Sequence, residues 1–158
     1  MASLFIRNLF FTLLLPGFVA GLAPYWILEG ENAFNSFPTP FHFLQIPGIL
    51  FFIPGITILI NCITRFAFEG RGTLAPIDPT RKLVVGGLYR YSRNPMYIGV
   101  MAILAGESLF FQSWNLVLYS ILVFIAFNLF IMFVEEPRLR RDFGKEYKEY
   151  CQRVRRWL

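Results

Sequence analysis

Four long apolar stretches constrain this sequence more than any other feature. They run roughly over residues 9–28, 43–66, 95–111 and 114–134. A transmembrane helix needs about 20 apolar residues to cross about 30 Å of hydrocarbon, and each stretch approaches that length, although the third is short. Because backbone amides find no water to bond in lipid, such stretches must form helices. The sequence therefore predicts an all-α, polytopic membrane bundle of about four transmembrane helices.

The composition agrees with a chain that faces lipid. Of its 158 residues, 56% are hydrophobic and only 16% are charged, and 19 are phenylalanines. A soluble domain of this size would carry more charge. The length suits one compact bundle, so we predict a single membrane domain over 1–158. Its first part, 1–69, would hold two transmembrane helices, and 70–158 would hold a polar loop, a transmembrane hairpin and a C-terminal tail.

The basic residues lie at alternate ends of these helices. All 15 Lys and Arg lie at Arg7, within 65–93 or within 138–156. The loop between the first two stretches and the turn between the last two contain none. Because basic loops remain in the cytoplasm, this alternation predicts that both termini and the polar loops beside them are cytoplasmic. The net charge of +5 then reflects topology and lipid headgroups rather than nucleic acid.

Signals for disulfides and metals are weak. Cys62 and Cys151 are far apart, and neither belongs to a CxxC or CxxH pattern. Both are predicted to be reduced thiols with packing roles. His42 is the only histidine and is predicted to lie at the far membrane interface. We therefore predict no metal site and no nucleic-acid partner.

The densest polar segment beside a membrane helix precedes the third stretch and continues into it, with the letters RYSRNPMYIG at 90–99. Asn94 is a favourable N-cap residue, and Pro95 suits the first helical position because its missing N–H would have no partner there. The positive end of the helix dipole should face the cytoplasmic loop. With Arg90 and Arg93 beside it, this end could hold a carboxylate or phosphate. The alternative is a capped helix start anchored among lipid headgroups.

Two adjacent glutamates, Glu135 and Glu136, follow the fourth stretch. At the carboxyl end of a helix they would face an unfavourable dipole. One alternative pairs them with the arginines that follow, in a solvated cluster. Because a tight turn at 112–113 joins the third and fourth stretches, which rise about 25 and 30 Å, Glu135 should return to the level of Asn94. We therefore predict that the two polar segments face each other across a boundary pocket that could bind a zwitterion.

These two motifs resemble those of the isoprenylcysteine carboxyl methyltransferase family, whose signature extends to phospholipid N-methyltransferases. The letters that carry the resemblance are YRYSRNPMYIG and EEPRLRRDFGKEYKEYCQRV, and it covers about 70–157. It implies an integral-membrane methyltransferase that uses S-adenosylmethionine, bound on the cytoplasmic side. Carried over by motif, the cofactor contacts are Tyr89, Arg93, Asn94, Pro95, Tyr97, Gly99, Glu135 and Glu136. One or both glutamates would then hold the ammonium group of the methionine moiety.

The lipid-facing composition favours a lipidic or prenylated acceptor. Its identity stays open among a prenylated-protein carboxylate, a phosphatidylethanolamine amine, a small thiol and a quinone-like lipid. A carboxylate acceptor is already anionic and needs only a cation, Arg90 or Arg93, to place it. An amine or thiol acceptor needs a base, for which Glu135 or Glu136 is the candidate. Arg90, Arg93 and Glu135 are the predicted catalytic residues. Many members have His where this chain has Asn94, so a titrating base is missing at that position.

Other functions stay open at this stage. A phospholipid (ethanolamine) N-methyltransferase or a thiol methyltransferase of the same fold would carry the same motifs. A non-enzymatic membrane protein could instead use the basic face to bind anionic lipid.

Two features of the third stretch are predicted to have a role in function or in packing. Glu107 is ionisable inside a membrane helix, which makes it a functional candidate, although snorkelling to the far interface or pairing with Gln112 would also explain it. The small residues Gly99, Ala102 and Gly106 would let a ligand or another helix approach closely.

The tail after the fourth stretch has a helical apolar pattern. Apolar residues recur at steps of three and four between Leu139 and Trp157, with basic residues on much of the remaining surface. This spacing predicts an amphipathic helix on or under the cytoplasmic membrane face, which Gly144 could break.

Overall fold

The computed structural model of the chain describes residues 16–34, 42–65 and 83–158. Within these ranges the chain is helical and forms no strand, so the all-α prediction is confirmed. A π-helical turn, Phe18–Leu22, leads into α1. The α-helices are α1 (Ala23–Gly30), α2 (Gln45–Arg65), α3 (Pro95–Phe111), α4 (Trp114–Phe130) and α5 (Glu136–Arg153).

Some sequence predictions fall outside the described residues. They concern Arg7, the N-terminal part of the first apolar stretch and most of the polar loop, 70–82. The third apolar stretch matches α3 at both ends, and the second contains α2.

Among the described residues, two helices are long and apolar enough to cross a bilayer, namely α2 and the helical stretch that begins with α4 at Trp114. Large apolar side chains on both point outward, and Leu50, Ile53 and Leu122 are each more than half exposed. Exposed apolar surface of this extent is typical of a lipid-facing protein. The helix α3 is apolar but has only 17 residues. These features support membrane association, whereas the count of four crossings and the orientation of the termini stay predictions.

Glycines bring α2 and α3 into direct backbone contact. Gly48 packs against Gly106 and Gly55 packs against Gly99, so the two helices are antiparallel. A methyl group added to Gly106 would lie 2.7 Å from the Gly48 carbonyl oxygen, and one added to Gly55 would lie 2.8 Å from the Ile103 nitrogen. Of the two roles predicted for the small residues of α3, close approach of another helix is the one observed.

The helix α4 runs into α5 through a π-helical turn, Ile131–Glu135. The backbones of Phe130 and Glu136, on either side of this turn, keep right-handed helical angles. The prediction that the glutamates end a helix is therefore wrong: they lie inside a helical stretch, and no unfavourable end dipole acts on them. In the sequence, Pro137 directly after the glutamates suggests the end of a helix. In the structure, Pro137 lies in the first turn of α5, where proline is tolerated.

The helix α5 is amphipathic, and its apolar face packs on the protein itself. Tyr147 and Tyr150 are buried with Val154, the residue after the helix, and the partly buried Leu83, which lies ahead of α3 in the chain, packs against them. Gly144 breaks the helical backbone with φ +49° and ψ −114°, which confirms the predicted break. A positive φ costs glycine little because it has no Cβ. Contact of α5 with the membrane surface stays a prediction.

Candidate functional site

The start of α3 is held by the chain that follows α5. Asn94 occupies the N-cap position, but its side chain does not cap the helix. Instead, Asn94 Nδ2 donates a 2.9 Å hydrogen bond to the carbonyl oxygen of Arg156. Ser92 Oγ donates to the same carbonyl at 3.2 Å and accepts the Asn94 backbone N–H at 3.1 Å. The predicted side-chain cap is therefore wrong, because a more distant acceptor competes for the Asn94 amide.

Residues 154–158, here called the strap, fold back across this helix start. The backbone N–H of Arg93 donates to the carbonyl oxygen of Arg155 at 2.9 Å. Trp157 Nε1 donates to Asn128 Oδ1 at 3.3 Å, and Asn128 belongs to α4. The strap thus ties the beginning of α3 to the end of α4.

Glu136 is buried and surrounded by arginines. Its carboxylate accepts two hydrogen bonds from Arg156, at 2.8 Å from Nε and 3.0 Å from Nη2. Arg93 Nη1 lies 3.3 Å from Glu136 Oε1, and the exposed Arg140 lies 3.6 Å from Oε2. A bidentate pair of this kind fixes both groups in one geometry. Glu136 therefore already has several positive partners, and its main one comes from the strap rather than from the arginines directly after it.

Glu135 has a different set of neighbours. Tyr97 Oη donates a 2.8 Å hydrogen bond to Glu135 Oε2. The Tyr97 ring lies 4.6 Å from that of Phe127 on α4, which holds the phenol in place. Arg138 contributes positive charge nearby. The contact of Tyr97 with Glu135 confirms that the two polar motifs face each other.

The two glutamates therefore differ in what they offer a ligand. An ionised carboxylate has about four acceptor positions. Those of Glu136 are directed to Arg156, with Arg93 and Arg140 close by. Glu135 accepts a hydrogen bond from the Tyr97 hydroxyl on one oxygen. An ammonium group would find acceptor positions on Glu135 more readily than on Glu136.

Arg93 contacts residues near both ends of α5, Glu136 and Cys151. Its Nη1 lies 2.8 Å from Cys151 Sγ as well as 3.3 Å from Glu136. Burial alone would lower the pKa of the Arg93 guanidinium, but Cys151, Tyr147 and Glu136 raise it above its usual value. Arg93 therefore stays charged. Cys151 and Cys62 are both free cysteines, as predicted.

Tyr89 is buried below this cluster, in a 3₁₀ turn formed by Gly87–Arg90. Its carbonyl oxygen accepts a 2.6 Å hydrogen bond from Tyr150 Oη of α5. Burial, followed by the influence of Cys62 and Glu135, raises the pKa of the Tyr89 phenol well above its usual value. Tyr89 therefore remains a neutral phenol next to the site.

Arg90 faces another cavity. It lines a space of about 400 Å³ together with Glu146 and Arg153. Within the described ranges, Arg90 forms no ion pair with Glu135 or Glu136. Neighbouring side chains of a 3₁₀ helix point about 120° apart, which separates Arg90 from the inward-facing Tyr89. A catalytic role for Arg90 stays a prediction without a supporting contact.

Pro95 and Gly99 are both buried. Pro95 is the first residue of α3, and a methyl group added to Gly99 would lie 3.0 Å from the Gly55 carbonyl oxygen on α2. The observed contact of Gly99 is therefore with a helix. Direct contact of either residue with a cofactor stays a prediction.

Sequence reasoning missed three residues of this cluster, namely Ser92, Arg156 and Trp157. Their contacts join parts of the chain about 20 to 60 residues apart, so no local spacing reveals them. The one sequence signal for these contacts is the run of basic residues after α5, and such a run is typical of an exposed surface.

The fold and site define a helical, membrane-associated protein in which two polar motifs meet at one end of an apolar hairpin. A profile of the phospholipid methyltransferase family matches residues 43–146, more than half of the chain. The chain therefore belongs to the phospholipid methyltransferase family.

Curated relatives match a smaller part of the chain. Probable protein-S-isoprenylcysteine O-methyltransferases from Oryza sativa subsp. indica and subsp. japonica are each 33% identical over 78 residues, 49% of this chain and 40% of the relative. The chain thus spans less than half the length of these two relatives. An uncharacterized protein of Haemophilus influenzae is 38% identical over 64 residues, 40% of this chain and 100% of that protein. No solved structure matches the chain.

Proposed function

We propose that this protein is an integral-membrane methyltransferase that transfers a methyl group from S-adenosylmethionine to a lipidic or membrane-associated acceptor. The observation that carries the proposal is the 2.8 Å hydrogen bond between Tyr97 and Glu135, which brings the two motifs together at one end of the α3–α4 hairpin. Membership of the phospholipid methyltransferase family supports the reaction class. The names of the rice relatives support an acceptor of the isoprenylcysteine type.

The groups around Glu135 suit the methionine end of S-adenosylmethionine, which carries an ammonium and a carboxylate. Glu135 offers acceptor positions to the ammonium. The charged Arg93 and the first N–H groups of α3, at Met96 and Tyr97, suit the carboxylate, because these N–H groups have no partner within the helix. When bound, S-adenosylmethionine supplies an electrophilic methyl group on its sulfonium.

In this proposal the residues of the chain mainly position reactants and exclude water. Alignment of a nucleophile with a methyl group accounts for much of the acceleration of such a displacement. Glu136 holds Arg93 and Arg156 in place. If the acceptor is a carboxylate, Arg93 places it. If it is an amine or thiol, Glu135 is the candidate base that removes its proton.

The site lies at the cytoplasmic boundary in this proposal, and four helices cross the bilayer. Basic residues flank the site on both sides, at 90–93 and 138–156, as expected for cytoplasmic segments. The 17 residues of α3 rise about 26 Å, which a slightly thinned bilayer accommodates. A lipidic acceptor would enter between helices, since the outward faces of α2 and α4 are apolar.

Isothermal titration of the purified chain with S-adenosylmethionine or S-adenosylhomocysteine tests the proposed site. Glu135→Gln should weaken binding at least about tenfold while the helical content stays unchanged. Glu149→Gln removes an exposed carboxylate from α5 and serves as the matched control. Equal affinity in Glu135→Gln and wild type would reject the assigned site. No binding by the wild type would favour the non-enzymatic, lipid-binding alternative.

The acceptor itself can be identified by transfer of label. Membranes that contain the protein would be incubated with radiolabelled S-adenosylmethionine, and the labelled lipid or protein isolated. We expect label in a molecule with an acyl, prenyl or other apolar part. Label found only in a fully water-soluble molecule would contradict the lipidic acceptor.

A further inference from the structure

A second cavity with a carboxylate lies at the other end of α3. Glu107 follows Pro95 by 12 residues (107 − 95), which places it about 18 Å further along the helix axis. It lines a cavity of about 300 Å³ between α2 and α3. This volume lies at the lower end of the range of small-molecule sites. The distance separates the cavity from the proposed site of methyl transfer.

One oxygen of Glu107 is buried without a partner. Glu107 Oε2 is shielded from solvent and accepts no hydrogen bond within the described part of the chain. An oxygen with no exposed surface is not snorkelling, and Gln112 does not pair with it. Burying a carboxylate oxygen unpaired is costly, so its presence calls for a partner that the described residues do not supply.

The rest of the cavity wall is apolar and largely aromatic. The remaining lining residues are Gly48, Ile49, Phe52, Gly106, Phe110 and Phe111. The rings of Phe110 and Phe111 meet edge to face at 5.2 Å, and Phe34 packs on Phe111 at 5.7 Å. These contacts hold the two rings in place. Among the described residues, no basic side chain lines the cavity.

This combination selects one class of ligand. The face of a phenyl ring attracts cations through its quadrupole, and organic ammonium groups are recognised by aromatic walls. A carboxylate adds the opposite charge. A metal ion would need several oxygen or nitrogen ligands, and the described residues contain no group of three metal-binding side chains. An anion would find no cationic partner, because the described wall of the cavity contains no basic side chain.

We propose that this cavity is a second binding site, which takes a small organic ammonium group such as choline between the Glu107 carboxylate and the phenylalanine rings. The backbone contact of Gly48 with Gly106 fixes α2 and α3 at the cavity, so the site is preformed. The same chemistry is available from a free organic cation or from the choline headgroup of a lipid.

Binding of radiolabelled choline tests the free-cation source. The purified chain would be placed in phosphatidylglycerol nanodiscs at constant ionic strength and measured by scintillation proximity, with tetramethylammonium as competitor. We expect saturable binding that weakens at least about tenfold in Glu107→Gln. Glu29→Gln, which removes an exposed carboxylate from α1, should bind choline like wild type.

A second arm tests the lipid source. The chain would be released from nanodiscs that contain phosphatidylcholine and phosphatidylglycerol, and the retained lipids counted by native mass spectrometry. Retained phosphatidylcholine that is lost in Glu107→Gln identifies the headgroup as the ligand. Binding in either arm that depends on Glu107 supports the site, and independence from Glu107 in both arms overturns it.

Phe52→Leu provides a second variant that keeps the carboxylate and removes one aromatic ring. We expect it to weaken choline binding about threefold or more, since an aliphatic side chain lacks the quadrupole. Circular dichroism checks the helical content of both variants. If Glu107→Gln fails to fold, Phe52→Leu decides, and binding equal to wild type in that variant overturns the aromatic site.

Discussion

The two ends of α3 accommodate carboxylates in different ways. At the end near Asn94, Glu136 is buried but paired with Arg156 and Arg93. At the other end, Glu107 has a buried oxygen with no partner in the described part of the chain. Buried carboxyl groups are normally partnered, so the first end is complete in itself, whereas the second lacks a partner for one oxygen. A ligand at the first end must use the carboxylate positions that the arginines leave unoccupied, whereas a ligand at the second end would supply the missing partner.

The largest expected effect on stability is at the Glu136 end of α3. Glu136→Gln should lower the free energy of unfolding by about 3 kcal/mol, because it leaves two buried or half-buried arginines without their carboxylate. Thermal unfolding in detergent, followed by circular dichroism, measures the change. Glu149→Gln is the exposed control. A Glu136→Gln variant as stable as wild type would show that the arginine cluster does not hold this end together.

The strap should account for part of that stability. Arg156→Ala removes the bidentate partner of Glu136 and should cost about 2 kcal/mol, less than the loss of Glu136 because Arg93 and Arg140 remain. The neighbouring Arg155→Ala offers an exposed control that keeps its backbone contact and should change stability by less than about 0.5 kcal/mol. Equal costs in the two variants, measured by thermal unfolding, would contradict the ion pair assigned to the strap.

The glycine contacts differ in tightness between the two ends of α3. A methyl group on Gly106 would lie 2.7 Å from the Gly48 carbonyl oxygen, and one on Gly99 would lie 3.0 Å from that of Gly55. Gly106→Ala should therefore destabilise by about 1 kcal/mol or somewhat more, and Gly99→Ala by less. Gly21→Ala, where a methyl group meets nothing within 4 Å, is the control. The reverse order in the unfolding temperatures would show that the far end of α2–α3 is the looser one.

The smallest effect on stability is expected at the Glu107 end of α3, and it is a stabilisation rather than a destabilisation. Glu107→Leu should stabilise the protein by about 0.5 to 1 kcal/mol in detergent without organic cations, because it removes a buried acceptor that has no donor. Adding choline should raise the unfolding temperature of wild type and leave Glu107→Leu unchanged. Destabilisation in Glu107→Leu without any ligand would indicate that the carboxylate already has a structural partner.

Local signals in the sequence predicted α3 and the meeting of the motifs. Pro95 marks the first residue of α3, and the tight turn after Phe111 marks its end. Because that turn joins two helices of known rise, simple geometry placed Tyr97 and Glu135 together, and the structure confirms it. The glycines of α3 predicted close approach, but their partners on α2 are too distant in sequence to be inferred.

Other parts depend on contacts that no spacing encodes. The stretch from α4 to α5 continues through a π-turn, whereas Pro137 suggested an end. Asn94 is a good capping residue by type, yet its side chain bonds to Arg156 in the strap. Composition alone cannot distinguish Glu136 from Glu135, because adjacent residues of a helix face different neighbours. These differences arise from tertiary packing, which overrides local preference at the site.

The most direct test of the proposed cofactor site is a double-mutant cycle on Tyr97 and Glu135. The dissociation constant of S-adenosylhomocysteine would be measured for wild type, Tyr97→Phe, Glu135→Gln and the double variant. If Tyr97 acts by orienting Glu135, the double variant should bind no more weakly than Glu135→Gln alone, which itself loses at least about tenfold. Additive losses, or unchanged affinity in Glu135→Gln, would contradict a cofactor site built on this hydrogen bond.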